Sequence, residues 1–283
     1  MRIDSHQHFW RYLPADYPWM SEQFSAIRRD FFPADLAPHL QGTGFDGSVA
    51  VQARESVAET DWLLGLADRH PSVLAVVGWA DLCDPLVDRE LARIARHPKL
   101  AGVRMVIQDR PDPDFADSPA HRQGIARLAA HGLTYDLLLK PPHLPAAIRL
   151  VDRFPAQPFV VDHLAKPEIS LRRLSPWREQ LAELARRPHV LAKLSGLVTE
   201  ADWDQWEPAD LRPYLDHALE CFGAHRLMIG SDWPVCLCAA PYEAALEAVL
   251  AWAQALGPQD RAAILGGNAA RFYGLPRRQS AAS

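Results

Sequence analysis

Eight short apolar runs punctuate this chain of 283 residues, and each is followed by a helical or loop segment. The runs are Arg2 to Phe9, Gly47 to Gln52, Val73 to Trp79, Leu100 to Gln108, Leu133 to Lys140, Pro158 to His163, Val190 to Leu197 and Arg226 to Asp232. They are rich in Val, Ile and Leu and lack strict alternation, which predicts parallel strands buried on both faces. Amphipathic stretches separate them at Glu59 to Arg69, Leu86 to Ala95, Arg122 to His131, Leu144 to Phe154, Pro176 to Arg187, Pro208 to Phe222 and Tyr242 to Ala255. Eight strand–helix alternations at this spacing fit an α/β fold made of a single (β/α)8 TIM barrel over 1–276, with a frayed, disordered tail over 277–283. An open doubly wound sheet would call for a G-x-G-x-x-G turn directly after an early strand, and none of the early runs is followed by one.

The composition admits one large core, with 48% hydrophobic and 23% charged residues. Thirty Lys and Arg against 35 Asp and Glu give a net charge of −5, and no basic run or basic-aromatic stripe would track a phosphate backbone, so no nucleic-acid partner is expected. Asp4, His6 and His8 interrupt the opening apolar run and no stretch approaches the length of a span; no membrane association is expected, and the chain reads as soluble and cytoplasmic. Nothing in the pattern speaks to oligomeric state. Four irregularly spaced cysteines, Cys83, Cys221, Cys236 and Cys238, read as reduced thiols rather than a disulfide framework. Cys236 and Cys238 lack the second pair that a structural zinc site would use, so buried thiols are expected there.

In such a barrel the site gathers at the carboxyl ends of the strands. His6 and His8, two apart, point to one side of the first strand end. The other ends offer Gln52, Trp79 with Asp81, Arg104 with Gln108, Lys140, His163 with Lys166, Lys193 with Ser195, and Asp232. Three imidazoles and a carboxylate among aromatic residues form the kind of ring whose proton affinities are perturbed enough for proton-transfer chemistry. Asp232 also has a plainer reading as the N-cap of a following helix.

Three motifs carry a family resemblance: His6-x-His8, Asp162-His163-x-x-Lys166-Pro167, and Gly230-Ser231-Asp232-Trp233-Pro234. Together they resemble the amidohydrolase superfamily, in its lactonase branch of single-domain barrels. The opening Asp4-Ser5-His6-Gln7-His8-Phe9-Trp10 with Tyr17-Pro18-Trp19, and the late Lys193-Leu194-Ser195-Gly196-Leu197-Val198-Thr199-Glu200-Ala201-Asp202-Trp203, are similar to sugar-lactone hydrolases, most closely the L-fuconolactonases. The resemblance runs over nearly the whole chain.

What the resemblance implies is hydrolysis of a cyclic ester of a sugar acid. Asp232 would be the general base and later acid, while His163, His6 and His8 would polarise the carbonyl or hold the oxyanion. Substrate contacts are expected from Gln52, Arg104, Lys166, Trp19, Trp79, Ser195 and Trp233. Metal-dependent members add a His or modified Lys from the fourth or fifth strand, whereas here the fifth run ends Asp136-Leu137-Leu138-Leu139-Lys140. His6, His8 and Asp232 could still hold Zn2+, which is expected to be bindable without being essential. The alternatives are a lactonase or decarboxylase for a carboxylate of aromatic degradation, which would want several arginines at the mouth, and a barrel that binds a metabolite without turning it over.

Overall fold

A computed structural model describes residues 1–275, so the barrel end expected at 276 and the tail expected over 277–283 lie outside the described residues. Eight strands, β1 (Ile3–Gln7), β2 (Gly47–Val51), β3 (Val73–Gly78), β4 (Leu100–Val106), β5 (Thr134–Leu138), β6 (Phe159–Val161), β7 (Val190–Leu194) and β8 (Leu227–Ile229), run in that order in one parallel sheet. The sheet closes just past the end of β8. There the Asp232 N–H donates to His6 O at 2.8 Å, and the His8 N–H donates to Trp233 O at 2.6 Å. The expected (β/α)8 barrel is therefore the observed fold, and the two distant ends of the chain meet in one seam that contains His6, His8 and Asp232.

The register slips between Asp4 and Gln7, which face only Ser48 to Ala50 of β2. An extra residue of this kind changes which side chains share a face. Here it lets Ile3 and His6, three apart, both face the barrel interior. The lower interior is apolar, with Ile3, Val49, Val51, Ala75, Val77, Val160 and Met228 packed on Ala269 and Tyr273 of the C-terminal segment.

The outer layer is helical. It comprises α1 (Pro33–Thr43), α2 (Val57–Arg69), α3 (Val87–Ile94), α4 (Pro119–Leu128), α5 (Leu144–Arg153), α6 (Trp177–Ala185), α7 (Leu197–Glu200), α8 (Pro208–Phe222), α9 (Tyr242–Ala253), α10 (Pro258–Ala262) and α11 (Asn268–Phe272). Helix α8 shows how sequence fixes such an element. Pro208 opens it, where the missing N–H costs nothing, and Asp210 accepts from the Glu207 N–H at 3.0 Å; Leu211, Leu215, Ala218 and Phe222 then recur on its buried face. The amphipathic reading omitted α1, whose Pro33, Pro38 and Gly42 mask its period, as well as α7 and the C-terminal α10 and α11. Helix α1 nonetheless ends in the expected way, on Gly44 in the left-handed conformation at φ 73°. Among the described residues no helix is long and apolar enough to cross a membrane.

Candidate active site

Asp232 stands at the floor of a cleft of about 160 Å³ at the carboxyl end of the barrel. His8, Arg104, His163, Lys166, Thr199 and Glu200 line it, with Trp19, Phe24, Trp203 and Val235 supplying apolar walls. Its volume is below the ~300 Å³ of the smallest drug-sized pockets and suits a single small ring.

Local backbone conformation delivers the two polar strand ends. His163, Leu164, Ala165 and Lys166 all have positive φ between 51° and 62°, and Asp232 has φ 58°. Left-handed residues of this kind cost about 1–2 kcal/mol each outside glycine, and they collect where surrounding structure over-determines them. The Trp177 indole N–H, donating to Leu164 O at 2.6 Å, pins the first turn. Buried Asp4 pins the second, accepting from the Ser231 N–H at 2.9 Å, the Ser231 O–H at 2.6 Å and the Tyr242 O–H at 3.2 Å. Burial, partly opposed by these donors, pushes the Asp4 carboxyl up to about 6. Gly196 (φ 62°) closes the rear wall: a Cβ there would meet His163 Nδ1 at 2.6 Å and Asp232 Oδ2 at 3.0 Å.

The ring nitrogens converge on Asp232. Its Oδ1 lies 3.3 Å from His8 Nε2, 3.7 Å from His6 Nε2 and 3.8 Å from His163 Nε2. His163 Nδ1 is held by the Ser195 hydroxyl at 2.9 Å. His8 Nδ1 is 2.8 Å from Val51 O; a carbonyl only accepts, so Nδ1 carries the hydrogen and Nε2 presents a lone pair. Burial acts to raise the Asp232 carboxyl, but His163, His8 and His6 outweigh it and hold it well below the usual carboxylate range. Burial drives His163 down to about 4 and His6 well below its ordinary value. At neutral pH the site thus sets an ionised Asp232 against neutral His6 and His163.

A shell of charge supports this group from below. Arg104 Nη1 donates to Asp162 Oδ2 at 3.0 Å and its other terminal nitrogen to Gln52 O. Lys193 Nζ donates to Asp136 Oδ2 at 2.6 Å and stands as an ion pair 2.9 Å from Asp162 Oδ1, and the Tyr273 O–H donates to Asp136 at 2.8 Å. Burial raises both carboxyls. Lys193, His6 and Arg104 overcome it at Asp162, which sits well below the ordinary range, whereas Asp136 remains raised to about 6.

A zinc ion fits three of these residues. Ligand atoms 2.0–2.2 Å from a tetrahedral zinc stand roughly 3.3–3.6 Å from one another. His6 Nε2 and His8 Nε2 are 3.3 Å apart, and their distances to Asp232 Oδ1 bracket the same range. The second conceivable set, His6, Asp162 and His163, fits less well because Asp162 is already engaged by Lys193 and Arg104.

Of the substrate contacts expected from sequence, Arg104, Lys166 and Trp19 reach the cleft. Lys166 does so paired to Glu200 at 3.1 Å. Trp19 roofs it, its indole N–H donating to Ala53 O at 3.2 Å. Buried Glu59 ties this roof loop down, accepting from the Tyr17 O–H at 3.1 Å and from the Ala53 and Arg54 N–H groups at 2.9 and 3.0 Å.

Gln52, Trp79, Ser195 and Trp233 do not line the cleft, which corrects their expected role. Gln52 is wholly buried, its amide donating to Arg104 O at 3.4 Å. The chain turns away at Trp79, whose backbone N–H donates to Thr60 Oγ1 at 2.8 Å. Ser195 lies behind the His163 ring. Trp233 is buried against Phe9 and Phe31, away from the cleft. Lys140, at the rim, pairs with Asp109 at 3.4 Å. Glu200, which with Ser195 was a candidate for binding hydroxyls or capping a helix, lines the cleft; Phe24, Trp203 and Gly196 were not singled out, although Gly196 and Trp203 lie in the late motif quoted above.

The amidohydrolase family model matches residues 3–275. An L-fucono-1,5-lactonase of Burkholderia multivorans is 44% identical over 98% of this chain and 97% of its own length. A protein of the same name from Burkholderia ambifaria is 41% identical over 98% and 96%. A solved amidohydrolase of B. multivorans with bound zinc superposes with a TM-score of 0.94 at 44% identity, covering 98% of this chain and all of that one. With matches of this extent and a barrel whose seam carries the His-x-His and Asp positions, the chain belongs to the amidohydrolase family.

Proposed function

We propose that this chain hydrolyses a sugar-acid lactone, L-fucono-1,5-lactone or a closely related aldonolactone, to the open-chain acid. The observation that carries the reading is the meeting of ionised Asp232 with His6, His8 and His163 at the floor of a ring-sized cleft, in a chain 44% identical to an L-fucono-1,5-lactonase.

Asp232 acts as general base. It takes a proton from water as the water oxygen bonds to the carbonyl carbon and the carbonyl electron pair moves onto oxygen. Imidazole N–H groups facing that oxygen stabilise it, each well-placed donor being worth a few kcal/mol. When the intermediate collapses, the bond from carbon to the ring oxygen breaks and the proton on Asp232 passes to that oxygen, giving a hydroxyl. Because the histidines hold the carboxyl well below its usual range, Asp232 is a reluctant base but a ready acid. A lactone carbonyl, more electrophilic than an amide, suits that bias.

The aromatic side chains Trp19, Phe24 and Trp203 offer an apolar platform, and Arg104 with the Lys166–Glu200 pair offers donors and acceptors for ring hydroxyls. Gln52 holds Arg104 and Ser195 holds His163 from behind. Both cations lining the cleft are already paired, Arg104 to Asp162 and Lys166 to Glu200, which disfavours a dicarboxylate of aromatic degradation. Zinc held by His6, His8 and Asp232 would supply Lewis-acid polarisation; we assign it no essential role, since Asp232 accounts for both proton transfers. The activity is placed in the cytoplasm, a reading supported by Cys83, Cys221, Cys236 and Cys238 as free thiols.

The test is proton release, followed with a pH indicator, against 1,4- and 1,5-lactones including L-fucono, L-galactono and D-arabino forms, with and without chelator. Turnover of the L-fucono form that survives chelation is expected. Silence across the panel would overturn the substrate class, and loss on chelation with recovery on zinc would overturn the metal-independent part.

A further inference from the structure

Lys193 reaches the barrel axis with no exposed surface, and its ammonium has three neighbours: Asp136 Oδ2 at 2.6 Å, Asp162 Oδ1 at 2.9 Å and His6 Nδ1 at 3.1 Å. An ammonium carries three hydrogens and accepts none, so the third contact needs a lone pair on His6 Nδ1. A neutral imidazole with that lone pair has its hydrogen on Nε2. There it points at the His8 Nε2 lone pair, 3.3 Å away, and towards Asp232 Oδ1 at 3.7 Å. We propose that Lys193 is a positioning residue that sets the tautomer of His6, so that the metal-free site presents His6 as a hydrogen-bond donor and not as a metal ligand.

The opposite tautomer is built into the same shell. Asp162 Oδ1, 3.3 Å from His6 Nδ1, is the acceptor nearest to an Nδ1–H, and the Nε2 lone pair then faces Arg104 Nη1 at 3.3 Å or a zinc ion shared with His8 and Asp232. That arrangement serves Arg104 Nη1 but sets the Lys193 ammonium, 3.1 Å away, against the Nδ1–H, whereas the first serves Lys193 and leaves Arg104 Nη1 its stronger contact to Asp162 Oδ2 at 3.0 Å. The Nδ1–H form also brings the lone pairs of His6, His8 and Asp232 together with no hydrogen between them, a repulsion that a cation relieves. The charges of the shell balance when His6 is neutral: two carboxylates, Asp136 and Asp162, against Lys193 and Arg104. Zinc binding at His6, His8 and Asp232 therefore requires His6 to carry its hydrogen on Nδ1, and Lys193 opposes that exchange. The inference rests on the site assigned above but not on its substrate.

The experiment is 15N NMR of histidine-labelled, chelator-treated protein at neutral pH, with His6 assigned by difference from His6→Gln, alongside calorimetric titration with zinc. The wild-type protein is expected to show His6 protonated at Nε2 and bare at Nδ1. Lys193→Met combined with Asp136→Asn keeps the shell's charge balanced. This double variant is expected to move the hydrogen to Nδ1 and to raise zinc affinity at least tenfold. Wild-type His6 protonated at Nδ1, or unchanged zinc affinity in a folded double variant, would overturn the proposal. If the double variant does not fold, the wild-type spectrum decides alone. Failure of every lactone to react would leave the tautomer readout untouched, so the two readings fail separately.

Discussion

The barrel interior has two ends that solve opposite problems. The lower end is filled by Ile3, Val49, Ala75, Val77, Val160 and Met228, where only volume and shape have to match. The upper end buries His6, Arg104, Asp136, Asp162 and Lys193, where each charge exists only because its partner does. The apolar end tolerates exchange of one side chain for another of similar size. The ionic end tolerates no single removal, because the charge left behind stays buried. Placing the second kind of interior directly under Asp232 gives the site fixed dipoles that need no rearrangement during reaction.

The sharpest way to break this contrast is Asp162→Asn, which leaves Arg104 without a carboxylate and Lys193 with Asp136 alone. It is expected to cost about 3–5 kcal/mol in urea unfolding. A loss under 1 kcal/mol would mean that the ionic end is as forgiving as the apolar one. Gly196→Ala tests the floor of the site itself. Its Cβ displaces His163, so kcat should fall on the order of a hundredfold while the fold persists. An unchanged kcat would show that the position of His163 is not critical.

The pH profile is the next lever. With His163 held down to about 4, the acid limb of kcat/KM should fall with an apparent pKa near that value. Above it His163 is neutral and the site competent; below it the imidazolium pairs with Asp232 and engages the base. A limb near the ordinary histidine value would contradict the burial argument. Smaller still, Trp19→Ala should raise KM several-fold, on the order of 1 kcal/mol of lost apolar contact, whereas Trp79→Phe should leave KM unchanged. Equal effects would return Trp79 to the cleft. At the apolar end, Met228→Leu should cost less than about 1.5 kcal/mol and leave kcat alone.

Much of this was legible in the chain because barrel strands put chemistry at their ends. His6, His8, His163 and Asp232 stand at the carboxyl ends of their strands and converge as the alternation of strand and helix implies. The shell beneath them was not legible as a network. Asp136 and Lys193 lie in β5 and β7 and Asp162 directly follows β6, and no local pattern says which of these residues share one interior layer. The slip in β1 changes facing within a single strand, which sequence spacing does not announce. Trp233 is a further case: it follows a left-handed Asp232 beyond the end of β8, where strand alternation no longer says which way a side chain faces. Helix α1 escaped notice because Pro33, Pro38 and Gly42 are helix breakers that its packing overrides, with Leu36 and Leu40 buried.

The measurement that bears most directly on the account is turnover of L-fucono-1,5-lactone by wild-type protein and Asp232→Asn, both under chelation, with urea stability measured alongside. The account predicts that the wild-type protein stays active and that the variant stays folded while losing at least about a thousandfold in kcat/KM. A folded variant turning over at wild-type rates would remove Asp232 from the reaction and, with it, the reason for the ionic layer beneath it.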